Sequence, residues 1–223
     1  MSLQELSASS QNYLKIMWGL QEWSDDPVTP TAVAERAGVR LSTASDAIRK
    51  LASQGLVDHT PYGSATLTDE GRAYALAMVR RHRLIETFLV SSLDLTWDQV
   101  HDEAESLEHA VSDFLIDRID EALGHPTRDP HGDPIPGPDG RIDSLDASQL
   151  SQVELPATVT IERISDDDPG LLRHFASLGI TVGSTLRVEP GPPYSGAIEV
   201  VVDGERTSLG GAAPAAVWVT AQN

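Results

Sequence analysis

Apolar positions follow two spacings along the chain, a helical one up to about residue 123 and an alternating one from about Val153 onward. Over 7–23, SASSQNYLKIMWGLQEW, Tyr13, Leu14, Ile16, Met17 and Leu20 share one helical face. The next stretch, PVTPTAVAERAGVRLSTASDAIRKLASQGLV, predicts two helices around a tight turn. Thr29-Pro30 is a cap followed by a first-turn proline, and Gly38 ends that short helix. Ser42 is the expected cap of the second helix, which buries Ala44, Ala47, Ile48 and Leu51 and stops at Gly55. LVDHTPYGSATLTDEGR then has strand-like halves around Pro61-Tyr62-Gly63. Helix, helix-turn-helix and hairpin together predict a winged helix-turn-helix.

Beyond it, 72–90 predicts a long helix with Ala75, Met78, Val79, Leu84, Ile85, Phe88 and Leu89 inside. Trp97 to Leu123 predicts one or two more, with Val100, Ala104, Leu107, Val111, Phe114, Leu115, Ile119 and Leu123 as the apolar face. The Pro- and Gly-rich run 124–141 cannot hold a regular helix and reads as a structured loop. From Val153 short alternating strands, with one helix in PGLLRHFASLG, predict a small β-barrel. The fold class is therefore mainly α with a small β domain. The expected boundaries are 1–72 for the DNA-binding domain, 73–142 for a helical domain, 143–152 for a linker and 153–223 for the barrel.

Charge changes this picture in one respect. The net charge of -18 argues against nucleic acid, but residues 1–85 hold nine basic and nine acidic side chains, and the whole excess lies in 86–223. DNA binding is thus compatible with the N-terminal part and a hard cation with the rest. The exposed face of the second helix of the helix-turn-helix carries Ser42, Thr43, Ser45, Asp46, Arg49 and Lys50. Short polar side chains reach base edges in the major groove, while Arg and Lys hold phosphates. Asp46 is the odd member, able to accept from a cytosine amino group but repelled by phosphate. The chain has no cysteine, which excludes disulfides and thiolate metal sites. No stretch approaches the roughly 20 apolar residues that span a bilayer, and the N-terminus lacks the pattern of a secretory signal, so the expected location is the cytoplasm.

The remaining chemistry lies in imidazoles among carboxylates. His82 and Glu86 are one helical turn apart, as are His101 and Glu105, and Glu105 is one turn from both Glu108 and His109. Each histidine alone has a plain reading: His82 in RRHR belongs to a basic surface, and His109 is a surface residue. His59, His125, His131 and His174 have no spaced partner and read as structural or surface. Asp102 and Glu103 read as solvated. The joint pattern on two helices is the raw material of a divalent-metal site.

LASQGLV, RRHRLIETFL, VHDEAESLEHAVSD and HGDPIPG, in this order, resemble the diphtheria-toxin-repressor family of metal-dependent transcription regulators, over essentially the whole chain. The resemblance implies a helical dimerisation domain and an SH3-like (FeoA-like) barrel. It implies one metal site from Asn12, Glu105, Glu108 and His109. It implies a second from His82, Glu86 and His101, completed from SDDDPG by Asp168, with Asp167 next. The iron-responsive branch carries Met and Cys where this chain has Asn12 and Glu105; oxygen donors there suit Mn²⁺ better. The similarity is therefore closest to the manganese-transport regulators, although these often have Asp at the Asn12 position, and a neutral amide is a weaker ligand. Expected ligands and partners are Mn²⁺ at two sites per subunit, with Fe²⁺, Co²⁺ or other divalent metals as substitutes, and palindromic double-stranded DNA bound by a homodimer, with no membrane. The rivals are an iron-responsive repressor, a carboxylate-bridged dimetal enzyme, and a winged-helix regulator answering to an organic ligand. The dimetal enzyme wants a Glu-x-x-His from each of two helices, and only one such arrangement exists here.

Overall fold

The computed structural model describes residues 3–60 and 63–222. The expected hairpin tip at Pro61 and Tyr62 lies outside the described residues. The chain divides into two compact units, one running to His82 with Pro136–Arg141 added, the other comprising Arg83–Ile135 and Ile142–Asn223.

The first unit contains α1 (Ala8–Glu22), α2 (Pro30–Arg36), α3 (Leu41–Ser53), β1 (Val57–His59), β2 (Ala65–Leu67) and the start of α4 (Asp69–Leu93). Ser7 caps α1 and Thr29 caps α2, each hydroxyl accepting the backbone N–H three residues on. Pro30 occupies the first helical position, where a missing N–H costs nothing. α1, α2 and α3 pack on one another, with Leu14, Met17, Val33, Ala44, Ile48 and Leu51 buried. α3 corrects one expectation. Gly38 turns with φ +63, Val39 and Arg40 follow, and Arg40 takes the cap position without a side-chain bond. Ser42 lies inside the first turn and caps nothing. β1 and β2 pair antiparallel, Val57 opposite Leu67 and His59 opposite Ala65. Helix-turn-helix and wing are both present.

The second unit joins a helical layer to a barrel. The rest of α4, with α5 (Val100–Leu107) and α6 (Asp113–Ala122), closes over Leu84, Ile85, Leu89, Val100, Ala104, Ile116, Ile119 and Ile135. Ser112 caps α6, so the stretch 97–123, expected to hold one or two helices, holds two. Not every apolar residue there turns inward: Phe114 is 74% exposed and Leu115 47%, because α6 gives its inner face to Ile116 and Ile119.

β3 (Ser148–Gln149), β4 (Ala157–Ile164), β5 (Thr185–Pro190), β6 (Ile198–Val202), β7 (Glu205–Leu209) and β8 (Val217–Ala221) form one antiparallel sheet in the order β3-β8-β4-β5-β6-β7. α7 (Pro169–Ser177) follows β4 and sends Leu172 and Phe175 into the barrel core. The sheet begins inside the stretch read as linker. Ser148 and Gln149 pair with β8, and Leu150 is buried among Val159, Ile161 and Val219. A polar, serine-rich texture had hidden that one anchoring leucine.

Within this unit, residues 124–135 of the loop are held against the barrel. β4 carries a bulge between Ile161 and Arg163. His131 O accepts from Ile164 N at 2.9 Å. At Gly132, with φ +90, a Cβ would stand 2.0 Å from Glu162 O. Only glycine lets the loop backbone come this close.

Candidate metal centre

The residues that gather metal-ligating atoms within the second unit come from three elements. Glu86 projects from α4 and is 1% exposed, His101 from the first turn of α5, and Asp166 from the loop before α7. One ligand atom from each lies within 4.8 Å of the others. His101 Nδ1 is 2.9 Å from Asp166 Oδ2 and 3.5 Å from Glu86 Oε1. Bonding to Asp166, then to Glu86, pushes the His101 imidazole up to about 10. The ring is therefore an imidazolium at neutral pH in the absence of metal, and a cation ligated here takes the place of that proton.

Of the stretch SDDDPG, from which Asp168 is the expected ligand, the structure brings Asp166 beside His101 and Glu86. Asp168 is the cap of α7, its Oδ1 accepting from Gly170 N at 2.8 Å and Leu171 N at 3.2 Å. The Asp-Pro start of the helix commits that carboxylate to capping. Asp167 bonds with the Ser165 hydroxyl.

The other oxygen of Glu86 faces residues that helical spacing had passed over. Glu86, Asp129 and His131 are all buried and bring ligand atoms within 4.8 Å. His131, fully buried, has its Nδ1 3.9 Å from Glu86 Oε2. Its Nε2 donates to Trp97 O at 2.8 Å, and the ring stacks on the Trp97 indole at 6.0 Å. Because a carbonyl can only accept, the proton of a neutral ring sits on Nε2 and the Nδ1 lone pair points toward Glu86. Nδ1 has no hydrogen-bond partner among the described residues. A buried lone pair facing a buried carboxylate calls for a cation or a proton between them.

Asp129 is shaped for the same place. Its Oδ1 accepts from His131 N and Asp133 N, both at 2.9 Å. Burial, and the negative charges of Asp133 and Glu86, raise its carboxyl well above the ordinary range. Asp133 is differently engaged, bound to Arg163 Nε at 2.6 Å and to Arg83 Nη2 at 3.4 Å. Arg163 in turn lies 4.2 Å from the centroid of the Trp218 ring. The two arginines thus neutralise Asp133, and Arg83 Nε also lies 3.8 Å from Asp129 Oδ2. A His in a Pro-Gly loop and the first of three aspartates gave no periodic signal. The one available signal was HGDP itself, a histidine beside a glycine that permits close backbone approach.

The other expected ligands divide between the units. Glu105 is half-buried on α5 and Glu108, fully buried, is its C-cap; their carboxylate oxygens come within 4.8 Å of one another. His109 follows, with Nε2 3.5 Å from Glu108 Oε1. Asp102 and Glu103 point to solvent, as the spacing implied. In the first unit Asn12 lies on α1, with Oδ1 buried and no hydrogen-bond partner among the described residues. His82 is 7% exposed, one turn ahead of Glu86 on α4, with Nδ1 3.5 Å from Lys15 Nζ.

The DNA-facing candidates are all on α3. Ser42, Thr43, Asp46, Arg49 and Lys50 are exposed and Ser45 is half-buried. Arg49 Nη2 is ion-paired to Asp46 Oδ1, and Arg49 Nε donates to Ser45 O at 3.3 Å.

Comparison with known families accounts for all three parts of the chain. Residues 5–65 match the family described as iron dependent repressor, N-terminal DNA binding domain, and 68–137 match its metal binding and dimerisation domain. Residues 148–221 match the FeoA domain. The iron-dependent repressor IdeR of Mycobacterium tuberculosis (strain ATCC 25618 / H37Rv) is 31% identical over 218 residues, 91% of this chain and 92% of its own length. A solved manganese-dependent transcriptional repressor in complex with manganese is 56% identical, with a TM-score of 0.91 over 96% of this chain and all of that one. The manganese regulator SloR is 30% identical, with a TM-score of 0.79 over 96% of this chain and 98% of that one.

Proposed function

The chain belongs to the iron-dependent repressor family, that of the diphtheria toxin repressor, and from this premise we propose that it is a manganese-responsive repressor that binds a palindromic operator as a cytoplasmic homodimer and controls genes of metal-ion homeostasis and transport. The observation that carries the choice of metal is the donor set. Asn12, Glu105, Glu108 and His109 offer amide oxygen, carboxylates and one imidazole, with no sulfur. Mn²⁺ accepts such a hard octahedral set, while soft ligands favour the later transition metals. The imidazole counts against Mg²⁺ and Ca²⁺, which prefer all-oxygen shells. The Asn12 Oδ1, buried and without a hydrogen-bond partner among the described residues, fits a ligating role.

Asn12, Glu105, Glu108 and His109 would hold one ion. Glu86, His101 and Asp166 would hold a second, with His82 and, on the far side of Glu86, Asp129 and His131 as further donors. When bound, the ions would supply positive charge beside these clustered carboxylates. Without it Glu105 and Glu108 repel one another, as do Glu86 and Asp129. Asn12 stands on α1, which packs against α2 and α3, so a ligand role there couples the recognition helix to the state of the acidic cluster. Ligand binding then shifts the population toward arrangements in which two recognition helices meet successive major grooves. The exposed Phe114 and Leu115 give α6 an apolar surface suited to the partner subunit.

The reading is tested by following binding to a selected operator while Mn²⁺, Fe²⁺, Co²⁺ and Zn²⁺ are titrated anaerobically. Mn²⁺ is expected to activate at the lowest free concentration compatible with its weak intrinsic affinity, and Glu105→Cys is expected to favour Fe²⁺ and Co²⁺. Strong activation by Fe²⁺ with none by Mn²⁺ would return the chain to the iron-responsive branch. No enzymatic role is proposed.

A further inference from the structure

A carboxylate on the exposed face of a DNA-binding helix is an anomaly, because it meets a polyanion. Asp46 lies in the middle of that face, and no acid is needed there for helix formation, since Ala44, Ile48 and Leu51 already supply the core contacts. The structure shows what the acid is bonded to. Arg49, one turn further along, places Nη2 on Asp46 Oδ1 and Nε on Ser45 O. Both side chains are 69% exposed. Such a pair contributes little to the stability of a helix. Its effect is to hold a flexible guanidinium in one orientation and to neutralise the carboxylate. Nη1 and the second hydrogen of Nη2 remain available as two parallel donors, and Asp46 Oδ2 has no protein partner among the described residues.

We propose that Asp46 and Arg49 act as a single base-reading unit, in which Arg49 donates to O6 and N7 of a guanine and Asp46, fixed by Arg49, accepts from the N4 amino group of a cytosine at a neighbouring base pair. The chemistry is specific to these two partners. Guanine presents two acceptors in the major groove, which match the arginine fork, and cytosine presents an amino donor, which matches a carboxylate. Thymine O4 facing the carboxylate would place acceptor against acceptor. Lys50, adjacent and exposed, is left to the phosphates. Two half-sites related by the dyad of a dimer would each contain the same guanine and cytosine steps. This inference rests on the DNA-binding reading above.

The test is selection from a randomised duplex library by the full-length protein with Mn²⁺, at fixed salt, for the wild type and for Asp46→Asn, Asp46→Ala and Arg49→Lys. Circular dichroism checks that each variant is folded, which the exposure of both positions favours. The wild type is expected to select cytosine and guanine at neighbouring positions of each half-site. Asp46→Asn is expected to move the cytosine preference to adenine, since an amide pairs with adenine N6 and N7. Asp46→Ala is expected to lose discrimination there by about 5- to 150-fold, the range of one good base contact, with the salt dependence nearly unchanged. Arg49→Lys is expected to relax the guanine position. If the variants lose affinity uniformly across sequences with the same base preferences, the pair is a brace or a phosphate contact and the inference is overturned. If the wild type selects no sequence with or without Mn²⁺, the DNA-binding reading falls and this one with it.

Discussion

Asn12 is the residue at which the donor set is weakest. Its amide oxygen is buried without a hydrogen-bond partner among the described residues, yet it carries no charge to offset that of a divalent ion. Asn12→Asp is expected to tighten Mn²⁺ binding about ten-fold, the equivalent of ~1.4 kcal/mol, because a charged ligand adds about that much over a neutral one. Isothermal titration calorimetry measures it, and an unchanged constant would remove Asn12 from the coordination shell. His101 yields a second prediction, of pH dependence. Bonding to Asp166, then Glu86, pushes its folded-state value up to about 10. The charged ring therefore stabilises the metal-free fold fully below about pH 6.5, the ordinary value for histidine. This contribution is lost as pH rises through about 10. Urea denaturation of chelator-treated protein should show the wild type losing its advantage over His101→Gln across this window. Parallel curves for the two proteins would mean that the ring is not charged in the fold.

Among the elements, what repeats at a helical or alternating period was legible and what is held by a single close approach was not. α1 to α4 formed where their apolar faces put them, with Thr29-Pro30 and Gly38 as punctuation, although α3 starts one residue before its expected cap, Ser42. The same periodic criterion marked Glu86, His101, Glu105, Glu108 and His109. It was blind to Asp129 and His131, because their loop is positioned by β4, far away in sequence, through Ile164 N and the bulge at Glu162. Asp168, which only the family resemblance implied, caps the N-terminus of α7, and it is Asp166 that lies beside His101. Phe114 and Leu115 were assigned inward because spacing alone does not say which side of α6 meets the core. The loop's dependence on contact gives an element-level prediction. Gly132→Ala must move either a Cβ or Glu162 O, now 2.0 Å apart, at a φ of +90 that alanine resists. A loss of more than about 1 kcal/mol in denaturant unfolding is expected, together with weaker Mn²⁺ binding if His131 is a ligand. A wild-type unfolding curve would show that the loop does not rest on β4.

At the scale of the whole molecule, charge divides the labour. The N-terminal residues 1–85 are neutral overall and carry the DNA-facing helix, while the remainder holds the entire excess of -18. Clustered carboxylates favour a bound cation, so the affinity for DNA is expected to follow metal occupancy. Among the described residues no helix is long and apolar enough to cross a membrane. The central claim is that Mn²⁺ controls DNA binding, and fluorescence anisotropy of a labelled palindromic duplex, chosen by selection and held at constant salt, measures it directly. With Mn²⁺ the dimer is expected to bind on the order of 100-fold more tightly than with chelator, and Glu108→Ala or His109→Ala is expected to abolish the difference. Equal affinity in Mn²⁺ and in chelator would contradict the account.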